Sequence, residues 1–269
     1  KRQAPTFDVI APGVAKHEEE IVLAPGAEPA ADPNLVLRVA VAAAEYGLPI
    51  APGTLRNLKK CPIGDRNWTD ESRELFIRLL ASGPALLNVW EDIDFIDVPG
   101  KLIPEWLGVR NRPSASAAHR YTIDRHMVEV VTRLGRETPS GGRYDDRHYE
   151  ALLLAGILHD IGKRPGVANH AAEGARHATV VVERMGFDRD IVRWVTLLVR
   201  EHLTLSEFAT GRNPNDPNVG DDLAGRLDHN PVLLDMLFDL TRADGSSLGA
   251  TSGEPISKQY GWSNWRETM

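Results

Sequence analysis

The residues in this chain best suited to joint chemistry are four histidines and two aspartates: His126, the adjacent pair His159-Asp160, His170, His202 and Asp244. Three of them end apolar stripes at helical spacing. Leu152, Ala155 and Gly156 lead to His159, Ile191, Val195 and Leu198 lead to His202, and Leu233, Leu237 and Leu240 lead to Asp244. A carboxylate at the end of a buried stripe is costly unless a positive group meets it. One bound cation shared by these residues accounts for the whole pattern. Imidazole nitrogens mixed with carboxylate oxygens suit borderline divalent ions such as Mn2+, Fe2+, Co2+ or Zn2+, whereas an all-carboxylate site suits Mg2+ or Ca2+ better. Such an ion brings the pKa of coordinated water towards neutrality and polarises a phosphoryl oxygen. Gly162 follows His159 by three residues. A helix loosened there would let neighbouring His159 and Asp160 reach one centre, with Asp160 placed to bridge two ions. A single helical histidine is more often a packed or surface residue than a ligand, and His17, His148, His177 and His229 are read that way.

The elements that must position these groups are mostly helical. Apolar periodicity and capping signals predict helices over Leu35–Tyr46, from Thr69 or Asp70 through Ala81, and over Pro84–Ile93. Further on they predict Ile123–Leu134, Asp146–Leu158, His170–Met185, Arg189–His202, Asp221–Leu227 and Pro231–Ala243. Residues 6–23 read as a hairpin, with Phe7–Ile10 and Ile21–Leu23 flanking a polar turn through Lys16 to Glu19. Ala24 to Asn34 and Arg110 to Ala117 read as connectors, and Gly211 to Gly220 as a surface loop. The ligand candidates all follow residue 118. The expected organisation is therefore a mainly α chain: a connector region over 1–113 with a β-hairpin and helices, then a helical catalytic bundle over 114–269.

Composition narrows the class. The chain has 269 residues and a net charge of −7, which argues against broad binding to nucleic acid or anionic membrane. No apolar run approaches the roughly 20 residues that span a bilayer. The lone Cys61 excludes an intrachain disulfide and fits a reducing compartment, so a cytoplasmic location and a structural thiol are expected. The chain opens on Lys1 and ends at Met269 in a polar, Trp-bearing stretch, which suggests a fragment of a longer protein.

His126, the doublet within Leu158-His159-Asp160-Ile161-Gly162-Lys163, a later histidine, and Asp244 in Ala243-Asp244-Gly245 resemble the HD superfamily of metal-dependent phosphohydrolases. The resemblance extends to one family within it. His119-Arg120-Tyr121-Thr122-Ile123-Asp124-Arg125-His126 is similar to the segment that opens the HD domain of the bifunctional PII uridylyltransferase/uridylyl-removing enzymes. Leu198-Val199-Arg200-Glu201-His202-Leu203 and Leu102-Ile103-Pro104-Glu105-Trp106 also resemble that family, which covers most of residues 85–269.

The resemblance implies a division of labour. A nucleotidyltransferase domain attaches a nucleotide to a tyrosine of the PII nitrogen-signalling protein, the HD domain removes it, and ACT domains sense glutamine. Carried over by position, the metal residues are His126, His159, Asp160 and Asp244, with His170 and His202 matching positions that hold a second ion. The expected cofactor is one or two divalent ions, Mn2+, Fe2+ or Mg2+. The expected partner is nucleotidylated PII, and the leaving nucleotide UMP or AMP. Asp160 and Lys163 are the catalytic candidates. Lys163, Arg200 and His119 are the substrate-binding candidates, and Arg120 and Tyr121 either line the pocket or cap the helix of His126. Trp262 and Trp265 read as packing residues. No Gly-Ser motif with paired acids precedes the HD segment, Asp92-x-Asp94 being the nearest imitation, and no ACT-like βαββαβ pattern follows Asp244. The expected chain is therefore the uridylyl-removing part with its connector, separated from the other two domains. One departure stands out: Arg164-Pro165-Gly166-Val167-Ala168-Asn169 is less glycine-rich and acidic than the usual segment before His170. Two alternatives remain at this point, an HD hydrolase of free nucleotides and a regulatory HD module without turnover.

Overall fold

The structure, a computed structural model, describes residues 6–63, 68–114, 121–138, 142–213 and 216–247. His119, Arg120, Trp262 and Trp265 lie outside the described residues. The chain opens with strands β1 (Asp8–Ala11), β2 (Val14–His17) and β3 (Glu20–Leu23). Helices follow as α1 (Leu35–Tyr46), α2 (Pro52–Leu58), α3 (Asp70–Leu80), α4 (Ala85–Phe95) and α5 (Val98–Leu102), with a 3-10 turn over Pro104–Gly108. The second half is α6 (Ile123–Glu137), α7 (Asp146–Leu158), α8 (His170–Arg184), α9 (Arg189–Glu201), α10 (Thr204–Gly211), α11 (Pro217–Arg226) and α12 (Pro231–Ser246). The mainly α expectation holds.

Two sequence expectations are corrected. The predicted hairpin is a three-stranded antiparallel meander in the order β1-β2-β3, because Pro12-Gly13 makes a turn of its own with Gly13 at φ 75°. Lys16 and His17, read as a turn, belong to β2, whose first two residues, Val14 and Ala15, are fully buried. The predicted loop over Gly211 to Gly220 is shorter, since Pro217 occupies the first turn of α11 and Asp216 caps that helix.

Helices α7, α8, α9 and α12 start on Asp145, Asn169, Asp188 and Asn230, whose side chains accept hydrogen bonds from first-turn backbone N–H groups. Each such cap stabilises its helix by about 1 kcal/mol. These helices and α6 form one packed unit: α8 lies against α9, α7 against α6 and α9, and α12 against α6, α7 and α9. Residues 6–63 and 68–109 join it through α3 on α7 and α4 on α6, so one buried apolar cluster runs from Val14 to Ala243 and includes Cys61. Among the described residues no helix is long and apolar enough to cross a membrane.

Candidate metal centre

The centre is built where two helices stop. His159 closes α7 and His202 closes α9, each at the C-terminal cap, so the chain turns away immediately after delivering an inward imidazole. The turn after His159 carries Asp160 inward as well. Gly162 makes that turn possible for a steric reason. A Cβ there would lie 2.2 Å from the carbonyl oxygen of His170 and 2.3 Å from the amide nitrogen of Gly174, so α8 passes against bare backbone. Gly174 faces the same contact from the other side, and a Cβ on it would meet Val199 at 3.3 Å. The two glycines bring His170, at the start of α8, within reach of Asp160.

The six predicted residues converge as two triads, His126 with His159 and Asp244, and Asp160 with His170 and His202. Asp160 joins them. Its Oδ2 lies 3.5 Å from His159 Nε2 and 3.9 Å from His126 Nε2, while its Oδ1 lies 3.6 Å from His202 Nε2 and 3.8 Å from His170 Nε2. His159 Nε2 and Asp244 Oδ1 are 3.8 Å apart. These are separations at which neighbouring ligands of one ion stand, since each ligand bond is about 2.0–2.2 Å. The side chains of His126, His159, Asp160 and His202 are buried, whereas His170 is 27% and Asp244 19% exposed, so the centre opens on that side.

Backbone carbonyls fix the tautomers. Nδ1 of His159 donates to Gly156 O at 2.9 Å, that of His202 to Val199 O at 2.7 Å, and that of His126 to Ser247 O at 3.2 Å. Each imidazole therefore turns Nε2 inward, the arrangement found when the outer nitrogen orients a metal-ligating histidine. Nε2 of His159, His170 and His202, and Oδ1 of Asp160, are buried and make no hydrogen bond. Buried polar atoms without partners are rare and costly. Four of them aimed at one another fit a divalent cation.

The electrostatics agree. Burial pushes the Asp160 carboxyl up, but His159, His202 and Lys163 outweigh it and hold the group well below the usual carboxylate range. Burial likewise opposes ionisation of Asp244, and His126 and His159 reverse it. Burial also opposes charge on His126, yet Asp244 and Asp160 raise its pKa above the ordinary value, and Nε2 meets Asp244 Oδ1 at 2.8 Å. Burial lowers the pKa of His170, keeping it neutral and ligand-competent at neutral pH.

The remaining predicted residues divide. Lys163 stands at the rim with Nζ 2.7 Å from Asp160 Oδ2. Arg200 does not join the centre: it is exposed and lines a separate surface concavity with Arg193, Thr196 and Asp228. It stands two positions before His202, roughly 200° around a helix. Tyr121 lies under the Arg125 guanidinium, 5.7 Å from ring centre to Cζ. Beside Lys163 and His170 a cleft of about 510 Å³ opens, with Arg112 and Arg164 in its wall. Sequence reasoning missed Arg112, which has no motif around it. The Arg164–Asn169 segment stands out in the sequence only as a departure from the family pattern.

No protein-family model matches the chain. Curated relatives do. The chain is 36% identical over 258 residues to the bifunctional uridylyltransferase/uridylyl-removing enzyme of Mycobacterium tuberculosis, a match covering 96% of this chain and 30% of that protein. It is 36% identical over 263 residues to that of Streptomyces coelicolor, covering 97% and 29%. To that of Corynebacterium glutamicum it is 32% identical over 221 residues, covering 81% and 31%. The chain thus spans about 30% of the length of these relatives. Over that span, this chain belongs to the family of bifunctional uridylyltransferase/uridylyl-removing enzymes.

Proposed function

We propose that this chain is a metal-dependent HD phosphohydrolase that removes a nucleotidyl group, UMP or AMP, from a tyrosine of the PII signalling protein. In this reading residues 114–269 form the hydrolase and residues 1–113 connect it to a nucleotidyltransferase domain in the parent protein. The observation that carries the metal assignment is the set of four buried, unpartnered atoms, Nε2 of His159, His170 and His202 and Oδ1 of Asp160. His126, His159 and Asp244 would hold one divalent ion, His170 and His202 a second, and Asp160 would contribute an oxygen to each. When bound, the ions supply Lewis acidity, activating water and offsetting charge on the phosphoryl oxygens.

The chain's own residues do the rest. Asp160 is locked by its neighbours, so it enters the reaction already ionised. Lys163 neutralises Asp160 in the structure. With cations bound at Asp160, the Lys163 ammonium would be free to turn toward an incoming phosphate. His170 and Asp244, the two more exposed members, mark the face from which substrate arrives. The leaving group is tyrosinate, whose unperturbed pKa near 10 asks for little help from a general acid.

Incubation with Mn2+ and nucleotidylated PII should release the mononucleotide, and Asp160→Ala should abolish release. Equal release by both proteins would sink the assignment. A second reading, hydrolysis of free nucleotides, is favoured by the adjoining cleft, whose volume suits a small molecule. A panel of free nucleotides assayed beside modified PII separates the two.

A further inference from the structure

The cleft beside Lys163 and His170 has a chemistry of its own. In a chain of net charge −7 it is lined, among the described residues, by three cations, Arg112, Lys163 and Arg164, and by no carboxylate. Pro113, Ile123 and Val167 supply an apolar wall. Most arginines in this protein are tied to acids, as Arg110, Arg125, Arg147 and Arg184 are. Among the described residues no carboxylate pairs with Arg112 or Arg164.

Arg164 is held in place without being neutralised. Its guanidinium donates to the carbonyl of Glu105 at 2.8 Å, and it lies so close over Gly108 that a Cβ there would come within 2.5 Å of Nε. Arg112 is anchored through its backbone, whose carbonyl accepts from Ile123 N at 2.8 Å at the start of α6. One wall of the cleft is thereby fixed to the helix that carries His126.

We infer that this cleft binds the nucleotide half of the substrate, Arg112 and Arg164 meeting its phosphate or ribose oxygens and the apolar wall its base. The inference rests on the hydrolase reading above and specifies its substrate side. The tyrosine stays attached to a folded protein and must approach from outside. The small nucleotidyl end is the part that a cleft of this size can take. A guanidinium fork matches phosphate geometry, and about 510 Å³ lies in the range of small-ligand sites.

The test is equilibrium binding of UMP, AMP, uridine and inorganic phosphate to the full chain, with metal content measured in parallel. A mononucleotide should bind at least about tenfold more tightly than either uridine or phosphate. Arg112→Gln and Arg164→Gln should each weaken it about tenfold, the scale of one charge-assisted contact. Gly108→Ala displaces only the flexible end of Arg164 and should match Arg164→Gln while leaving the melting temperature in place. None of the three should change metal content. Wild-type affinity in both arginine variants, or phosphate binding as tightly as UMP and AMP, would overturn the inference. A chain that binds mononucleotide through these arginines but takes up no metal would instead overturn the hydrolase reading alone.

Discussion

Gly162→Ala puts the most strain on the smallest change. The added Cβ would stand 2.2 Å from His170 O and 2.3 Å from Gly174 N, both backbone atoms of α8 that no side-chain rotation can move. Relief requires the first turn of α8 to retreat by about 1 Å, and overpacking of this kind costs about 1–3 kcal/mol. In a chain of this size that corresponds to a fall in Tm of roughly 3–10 °C. The chemical consequence is sharper. His170 Nε2 and Asp160 Oδ1 are 3.8 Å apart, close enough to share an ion. A further 1 Å of separation exceeds the roughly 4.3 Å that two ligand bonds can span. The variant should therefore lose the ion held by Asp160, His170 and His202 and keep the one held by His126, His159 and Asp244. Thermal melting and elemental analysis read the two effects, with Gly220→Ala, which meets nothing within 4 Å, as the control. A Gly162→Ala protein that melts with the wild type and retains its full metal content would refute the reasoning.

Other outcomes follow from the same geometry. His126→Ala and His202→Ala should each cost one equivalent of bound metal, and Asp160→Ala both; elemental analysis of the three proteins distinguishes this from a single shared ion. Since Asp244 and Asp160 raise the pKa of His126, cation binding must displace its proton. Apparent affinity should then climb with pH up to that raised pKa and level off above it. Calorimetry in buffers of different ionisation enthalpy detects the released proton, and zero release between pH 6 and 7 counts against the site. Glu105 is half-buried, and although burial opposes its charge, the Arg184 pairing holds its pKa below the ordinary value. Its contribution is complete above the unfolded carboxyl pKa and fades as pH falls through the lower folded one. Glu105→Gln should accordingly cost about 1 kcal/mol at pH 7 and nothing in strong acid, as melting at the two pH values will report.

Much of the centre was legible because its ligands ride on strongly periodic elements. His159, His202 and Asp244 end apolar stripes, and burial of the stripe carries the ligand inward with it. What the sequence did not disclose is how Asp160 divides its two oxygens, because that depends on α8 crossing the turn after α7, a contact between residues distant in the chain. Arg200 is a candidate only through its neighbourhood in a motif, and helical phase points it away from the side that carries His202. Short elements also escaped. The helices Pro52–Leu58, Val98–Leu102 and Thr204–Gly211 are too brief for a periodic signal. Pro217 reads as a breaker in the Gly/Pro/Asn stretch, yet it serves as a helix start. At Pro12-Gly13 the turn signal competes with the polar stretch that follows, and two strands rather than one precede Ile21.

The central claim, that these six residues hold divalent ions, is tested most directly by anomalous diffraction from crystals grown with Mn2+. Two peaks are predicted on either side of the Asp160 carboxylate, one among His126, His159 and Asp244 and the other beside His170 and His202. A map with no anomalous density among these residues at saturating Mn2+ would contradict the account.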